Sequence, residues 1–237
     1  MNKWISDDIV THGTQLHYYR TGGQKPALVL IHGITDDGLC WSPVAQVLAA
    51  DYDVIMVDLR GHGKSPLGQA NSIREMAEDV AVLLDMLDIP RAILVGHSMG
   101  GYVMAEFTSR YPEYLKGIGF FHSVVFSDSP EAKHNRERTI ELVKNDRQGF
   151  IRNFIPDLFA PENRIKYSRE IEVLKEEASK ISKHSIIAAL AGMKERRDHQ
   201  RTISTIDVPV LVIAGKEDQR IPVSRVIEMI ALPKHAD

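Results

Sequence analysis

An α/β domain built on a mostly parallel sheet flanked by helices is the fold class the sequence predicts, on three observations. First, "ALVLIHG" (27–33), "DVIMVDL" (53–59), "AILVGHS" (92–98), "GIGFFHS" (117–123) and "VPVLVIAG" (208–215) are continuous apolar runs, the pattern of parallel strands covered on both faces. Second, helical stretches separate most of these runs, which implies βαβ units. Third, a serine lies between two glycines in "GHSMG" (96–100), where one run gives way to a helical pattern.

Taken in chain order, the first elements are two short antiparallel strands near Trp4 to Val10 and Gln15 to Thr21, because "THGT" between them supplies a glycine suited to a tight turn. Helices are expected over Ser42 to Ala50, Ser72 to Leu87, Gly100 to Arg110 and Val223 to Leu232. Ser72 and Glu75 form a capping box at the start of the second, and Pro90 helps to end it. From about Ser129 to Ile203 no strand signal occurs, while charged and apolar residues recur at helical spacing, as in "IEVLKEEASKISKHSIIAAL". Residues 129–203 therefore read as an all-helical cap inserted between two parts of one core, 1–128 and 204–237.

A length of 237 residues with 43% hydrophobic content suits one main core and its insertion. With 29 Lys and Arg against 32 Asp and Glu, the chain has no basic footprint for nucleic acid or anionic lipid, so a small or uncharged partner is expected. The only cysteine, Cys40, has no intramolecular partner for a disulfide and is read as a buried small hydrophobe. The polar start "MNKWISDDIV" lacks the apolar stretch of a signal peptide, and no apolar run approaches the roughly 18 to 20 residues that span a bilayer. A cytoplasmic location without membrane insertion is the expectation.

"GHSMG" matches G-x-S-x-G between a strand and a helix, the context in which Ser98 becomes a nucleophile. Glycines at 96 and 100 let strand and helix approach closely around a strained serine. The helix beginning there aims free N–H groups at any anion forming nearby, that of Met99 first. Acyl chemistry needs a second donor, and the loop in "LIHGIT" offers the N–H of Ile34 after Gly33. The alternative for Ser98 is an idle residue in a glycine-rich turn. His97 adjoins Ser98 too closely to turn onto its hydroxyl and is assigned packing or hydrogen bonding.

Together "LIHGITDDGLCW", "VDLRGHGKS", "VGHSMGG" and "PVLVIAGKEDQRIP" resemble the α/β-hydrolase superfamily over nearly the whole chain. The chain is similar to its small capped members: serine esterases, C–C hydrolases and haloperoxidase-like enzymes. A serine at position 98 argues against haloalkane dehalogenases and epoxide hydrolases, whose nucleophile there is aspartate. The resemblance implies a catalytic triad whose acid is Asp218, with a helix cap as its alternative role and Asp128 in reserve. It makes Asp58, Arg60 and His62 mainly structural, and it calls for no cofactor or metal.

The implied function is a carboxylesterase-like serine hydrolase acting on a small-molecule ester or related carbonyl compound through an acyl-enzyme. Phe150, Phe154 and Phe159 are candidates to line the pocket under the cap, with packing between cap and core as their alternative. His122 and His184 are candidate pocket residues that do not serve as the base. His235 is expected at the wrong end of the helix before it. The catalytic histidine is accordingly expected beyond residue 237, with a final strand and a closing helix. Two alternatives stay open: a ligand-binding or slow-turnover homologue, and a cofactor-free perhydrolase.

Overall fold

The computed structural model describes residues 4–234. Strands β1 (Ile5–Thr11), β2 (Thr14–Arg20), β3 (Ala27–Ile31), β4 (Asp53–Val57), β5 (Ala92–His97), β6 (Leu115–Phe121) and β7 (Val210–Ile213) form one sheet. Its order is β1-β2-β4-β3-β5-β6-β7. β1 and β2 pair antiparallel with each other and β2 with β4, and every pairing from β4 to β7 is parallel. Each expected strand and helix is present within a few residues of its predicted bounds.

Alternating residues of the central strands serve opposite faces. Val29, Ile31, Ile55 and Val57 join the large cluster under helices α2 (Ile73–Met86) and α3 (Met99–Arg110), and Leu28, Leu30, Val54 and Met56 join Trp41 and Ala45 of the segment containing α1 (Ser42–Leu48). Ser72 accepts from the Glu75 N–H while Glu75 reaches back to the Ser72 N–H, so the predicted capping box is present. β7 departs from the two-sided burial expected of its apolar run. It pairs only with β6 among the described residues, and Leu211 and Ile213 are each 44% exposed.

Helices α4 (Pro130–Asn145), α5 (Arg147–Phe154), α6 (Ser168–Lys180), α7 (Lys183–Lys194) and α8 (Gln200–Thr205) fill the stretch between β6 and β7. Side-chain oxygens of Ser129, Asp146 and Ser182 cap α4, α5 and α7 by accepting the N–H groups of Ala132, Gly149 and Ser185. A last helix, α9 (Val223–Ile230), follows β7. Among the described residues no helix is long and apolar enough to cross a membrane.

The loop after β4 is held by buried polar contacts. Asp58 accepts the N–H groups of Gly38 (2.7 Å) and Lys64 (2.9 Å), tying two loops together. Arg60 grips Asp79 of α2 through two hydrogen bonds of 2.7 Å, with both side chains fully buried. Asp79→Ala strands a buried guanidinium and is expected to cost about 3–5 kcal/mol in chemical denaturation. Replacing both partners with apolar residues of similar volume should recover most of that loss; equal losses in the single and double variants would contradict the pairing as its source.

Candidate active site

Among the described residues, four that are not glycine have a positive φ: Thr35, Asp88, Ser98 and His122. Three of these follow the C-terminal ends of β3, β5 and β6, the edge of a parallel sheet where sites form. Such backbone costs about 1–3 kcal/mol per residue and persists only where its surroundings hold it. At Ser98, with φ 50° and ψ −113°, the N–H is given to Phe121 O (3.0 Å), and the carbonyl accepts the Ser123 hydroxyl (2.8 Å). Both backbone groups are thus pinned while the side chain faces a cavity.

Glycines make that turn possible. A Cβ at Gly96 would collide with the Gly100 carbonyl, and one at Gly100 with the carbonyls of Ile31 and His32. At Gly33 a Cβ would stand 3.4 Å from Ser98 Cβ and 3.0 Å from His97 Nδ1, so the loop after β3 lies against the serine. Neither the Ile34 nor the Met99 N–H donates to any group among the described residues, and both residues are buried. Two main-chain donors are therefore unspent beside Ser98, one of them at the positive end of α3.

Ser98 opens into a cavity of about 380 Å³ whose walls include Ile34, Trp41, His97, His122, Phe154, Phe159 and Asp218. Phe154 and Phe159 are on its wall. Phe150 is not: it is buried, stacked on Phe154 at 5.0 Å, and absent from the wall, so the packing alternative holds for that residue. His184 is exposed on α7 and also lies off the wall. Trp41, Cys40, Leu174 and Arg220 join the wall without having been singled out as pocket residues; only the aromatic ring of "GLCW" beside the turn hinted at the first.

Cys40 reverses its expectation, because it is exposed and faces the cavity rather than the core. Desolvation by its neighbours and the carboxyls of Asp36, Asp37 and Asp58 push its thiol far above the ordinary range, so it stays protonated. Asp128 lies outside the cavity, paired with Arg136 and with Arg196 at 2.6 Å, which removes the reserve acid from this site.

Asp218 stands in the loop after β7, and its Oδ1 accepts the N–H groups of Arg220 (2.8 Å) and Ile221 (3.0 Å). Its Oδ2 is 2.7 Å from Nδ1 of His122, a residue 96 positions away. Burial alone would raise the carboxyl, but the bonds from His122, Ile221 and Arg220 outweigh it and hold the group below its usual range. The resulting stability is present above the unfolded value of 3.8 and is lost as pH falls through the depressed native one.

The His122 pairing is the feature that sequence reading missed: the residue was expected at the pocket, but without this partner. The imidazole makes no hydrogen bond to Ser98, and it lies over Gly215, where an added Cβ would be 2.9 Å from Cε1. His97 is kept neutral with a pKa of about 4 by burial and the neighbouring His122, against the pull of Asp218. It packs edge-on to Trp41 and Phe121, in line with its assignment. His62 is buried, with Nδ1 on the Arg60 carbonyl at 3.1 Å, while His235 lies outside the described residues.

Comparison with known proteins agrees with this architecture. A family model described as "alpha/beta hydrolase fold" matches residues 26–237. A 2-hydroxy-6-oxononadienedioate/2-hydroxy-6-oxononatrienedioate hydrolase of Burkholderia vietnamiensis is 30% identical over 97% of this chain and 84% of its own. An uncharacterized protein of Mycobacterium tuberculosis is 42% identical, over 41% of this chain, and the match spans only 29% of that relative's length. Among solved structures, a thermophilic esterase from Thermogutta terrifontis superposes with a TM-score of 0.89 at 29% identity, covering 99% of this chain and 88% of that one. An enol-lactonase from Burkholderia xenovorans, at 23% identity and a TM-score of 0.89, shares the fold.

Proposed function

Because the chain belongs to the alpha/beta hydrolase fold family, whose members similar to it include esterases and other hydrolases, we propose that it is a serine hydrolase of small-molecule esters or related carbonyl compounds. The observation that carries this reading is the strained Ser98 in a cavity of about 380 Å³ beside two unspent main-chain donors. Ser98 Oγ attacks the carbonyl carbon, and the N–H groups of Ile34 and Met99 receive the oxyanion. Collapse expels the alcohol, and water then releases the acid from the acyl-enzyme.

A serine hydroxyl needs a base within hydrogen-bond reach, oriented by an acid. Asp218 fits the acid, since its carboxyl is ionised and held by two backbone N–H groups in the same cavity. Among the described residues no histidine hydrogen-bonds Ser98, and His122 shares its cavity and pairs with Asp218 at 2.7 Å. The cavity volume favours a small acyl group, and Phe154, Leu158 and Phe159 between β6 and β7 give it an apolar cover.

Purified complete gene product, assayed on 4-nitrophenyl acetate, butyrate and octanoate and labelled with a fluorophosphonate, tests the reading. Label at Ser98 with fastest turnover of the short esters is expected. A protein that takes no label and turns over none of them is a ligand-binding homologue instead. Turnover confined to peroxide-dependent oxidation would identify a perhydrolase.

A further inference from the structure

The two main-chain N–H groups left unspent beside Ser98 belong to peptides whose carbonyls are both held. Among the described residues no peptide bond is cis. A planar trans peptide carries its C=O and the next residue's N–H on opposite edges, so fixing the carbonyl fixes where the N–H points. The Met99 N–H shares its plane with the Ser98 carbonyl, and the Ile34 N–H shares its plane with that of Gly33.

The Ser98 carbonyl accepts from two donors. One is the Gly101 N–H at 3.0 Å, in the first turn of α3, and the other is the Ser123 hydroxyl at 2.8 Å, reaching across from the segment after β6. Ser123 is 1% exposed. It fits against α3 because residue 101 is glycine: a Cβ there would overlap both Oγ and Cβ of Ser123. The last glycine of "GHSMGG" is accounted for by the hydroxyl it admits.

A histidine holds the Gly33 carbonyl. His32 is fully buried, with Nδ1 2.7 Å from Gly33 O and Nε2 accepting the Leu59 N–H at 3.0 Å. A carbonyl only accepts and a backbone N–H only donates, which assigns the ring as the neutral tautomer with its proton on Nδ1. Burial first, and the neighbouring His97 after it, lower its pKa to about 4 against the pull of the Gly33 carbonyl. The ring ties the loop after β3 to the loop after β4, and a hydrogen bond accepted at a carbonyl also polarises the N–H across the same peptide.

Resting on the serine hydrolase reading, we propose that Ser123 and His32 are positioning residues that hold the two oxyanion donors from behind, each through the carbonyl of the donor's own peptide. Neither side chain is on the wall of the Ser98 cavity, so neither touches the substrate. As Ser98 Oγ bonds to the acyl carbon, negative charge gathers on the substrate's carbonyl oxygen. Both N–H groups must face it beforehand, because a peptide that has to turn during the reaction loses part of the stabilisation it could give. No bond forms or breaks at Ser123 or His32, and the ring proton stays on Nδ1.

The test uses the complete gene product and 4-nitrophenyl butyrate. Ser123→Ala deletes one oxygen and leaves the Ser98 carbonyl its Gly101 partner. Its kcat is expected to fall by a factor of about 10 to 100 with KM little changed. The Ki of a trifluoromethyl ketone, whose adduct with Ser98 bears the oxyanion, should rise by the factor by which kcat/KM falls. Thr108→Val is the control, removing a similarly buried hydroxyl that donates to the Met104 carbonyl at 2.8 Å on the same helix. It should lower the melting temperature by as much as Ser123→Ala does and leave kcat and Ki unchanged. At His32, leucine should lose activity as Ser123→Ala does, and asparagine, whose side-chain N–H can replace Nδ1–H, should recover most of it. If the His32 variants do not fold, the Ser123 and Thr108 variants decide. Wild-type kcat in Ser123→Ala, an equal loss in Thr108→Val, or an unchanged Ki would overturn the proposal, while fluorophosphonate label on the wild type keeps the hydrolase reading. Wild-type protein that takes no label and turns over no ester overturns both.

Discussion

Ser98→Ala is expected to lower ester hydrolysis by a factor on the order of 10⁶ and to abolish fluorophosphonate labelling, because losing the nucleophile of a cooperating set costs about as much as losing the set. Little of that loss should reflect unfolding. The backbone of residue 98 is pinned by Phe121 O and the Ser123 hydroxyl, which touch its main chain and not its side chain. Ser98→Gly supplies the control. Glycine accepts φ 50° without strain, so this variant should be as inactive as alanine yet melt at a higher temperature, by an amount equivalent to about 1 kcal/mol. Activity surviving in both variants would reject Ser98 as the nucleophile, and a lower melting temperature for glycine would reject strain at the turn.

Asp218→Asn is expected to reduce kcat by about 10³ to 10⁴, the cost of a base held in the wrong tautomer. The amide keeps the shape of the carboxyl but cannot stabilise an imidazolium, so KM should change far less than kcat. His122 separates two accounts of this loss. As a pocket residue that also contacts Asp218, it should cost less than about tenfold on conversion to glutamine. Losses of equal size at His122 and Asp218 would instead make His122 the base, its ring having turned from Gly215 toward Ser98 when substrate binds. Measuring both variants on the complete gene product therefore identifies the proton acceptor.

The order of strands and helices was legible because its signals are local. Apolar runs marked β3 to β7, "THGT" marked the turn between β1 and β2, and Ser72 with Glu75 marked the start of α2. Ser98 was legible for the same reason: the glycines that let the turn close are its neighbours in sequence. Strand order was not, since placing β4 outside β3 depends on which loops can close and which faces must be covered.

Identity as a pocket residue was only half visible. Phe150, Phe154 and Phe159 are the same residue type, yet helix α5 turns Phe150 inward behind Phe154, which stays on the cavity wall, as does Phe159 beyond the helix end. Cys40 looked like a core residue by type, while the segment before α1 carries it to the cavity surface.

By itself, then, the sequence determined the alternation of elements, the strained serine between glycines, and the loop bearing Asp218, all written in contiguous residues. Folding alone brings His122 to Asp218 across 96 positions and buries Asp36 with no Lys or Arg within ion-pair distance among the described residues. Hydrogen bonding and desolvation depend on what the folded chain brings within a few ångströms, and no local pattern encodes that.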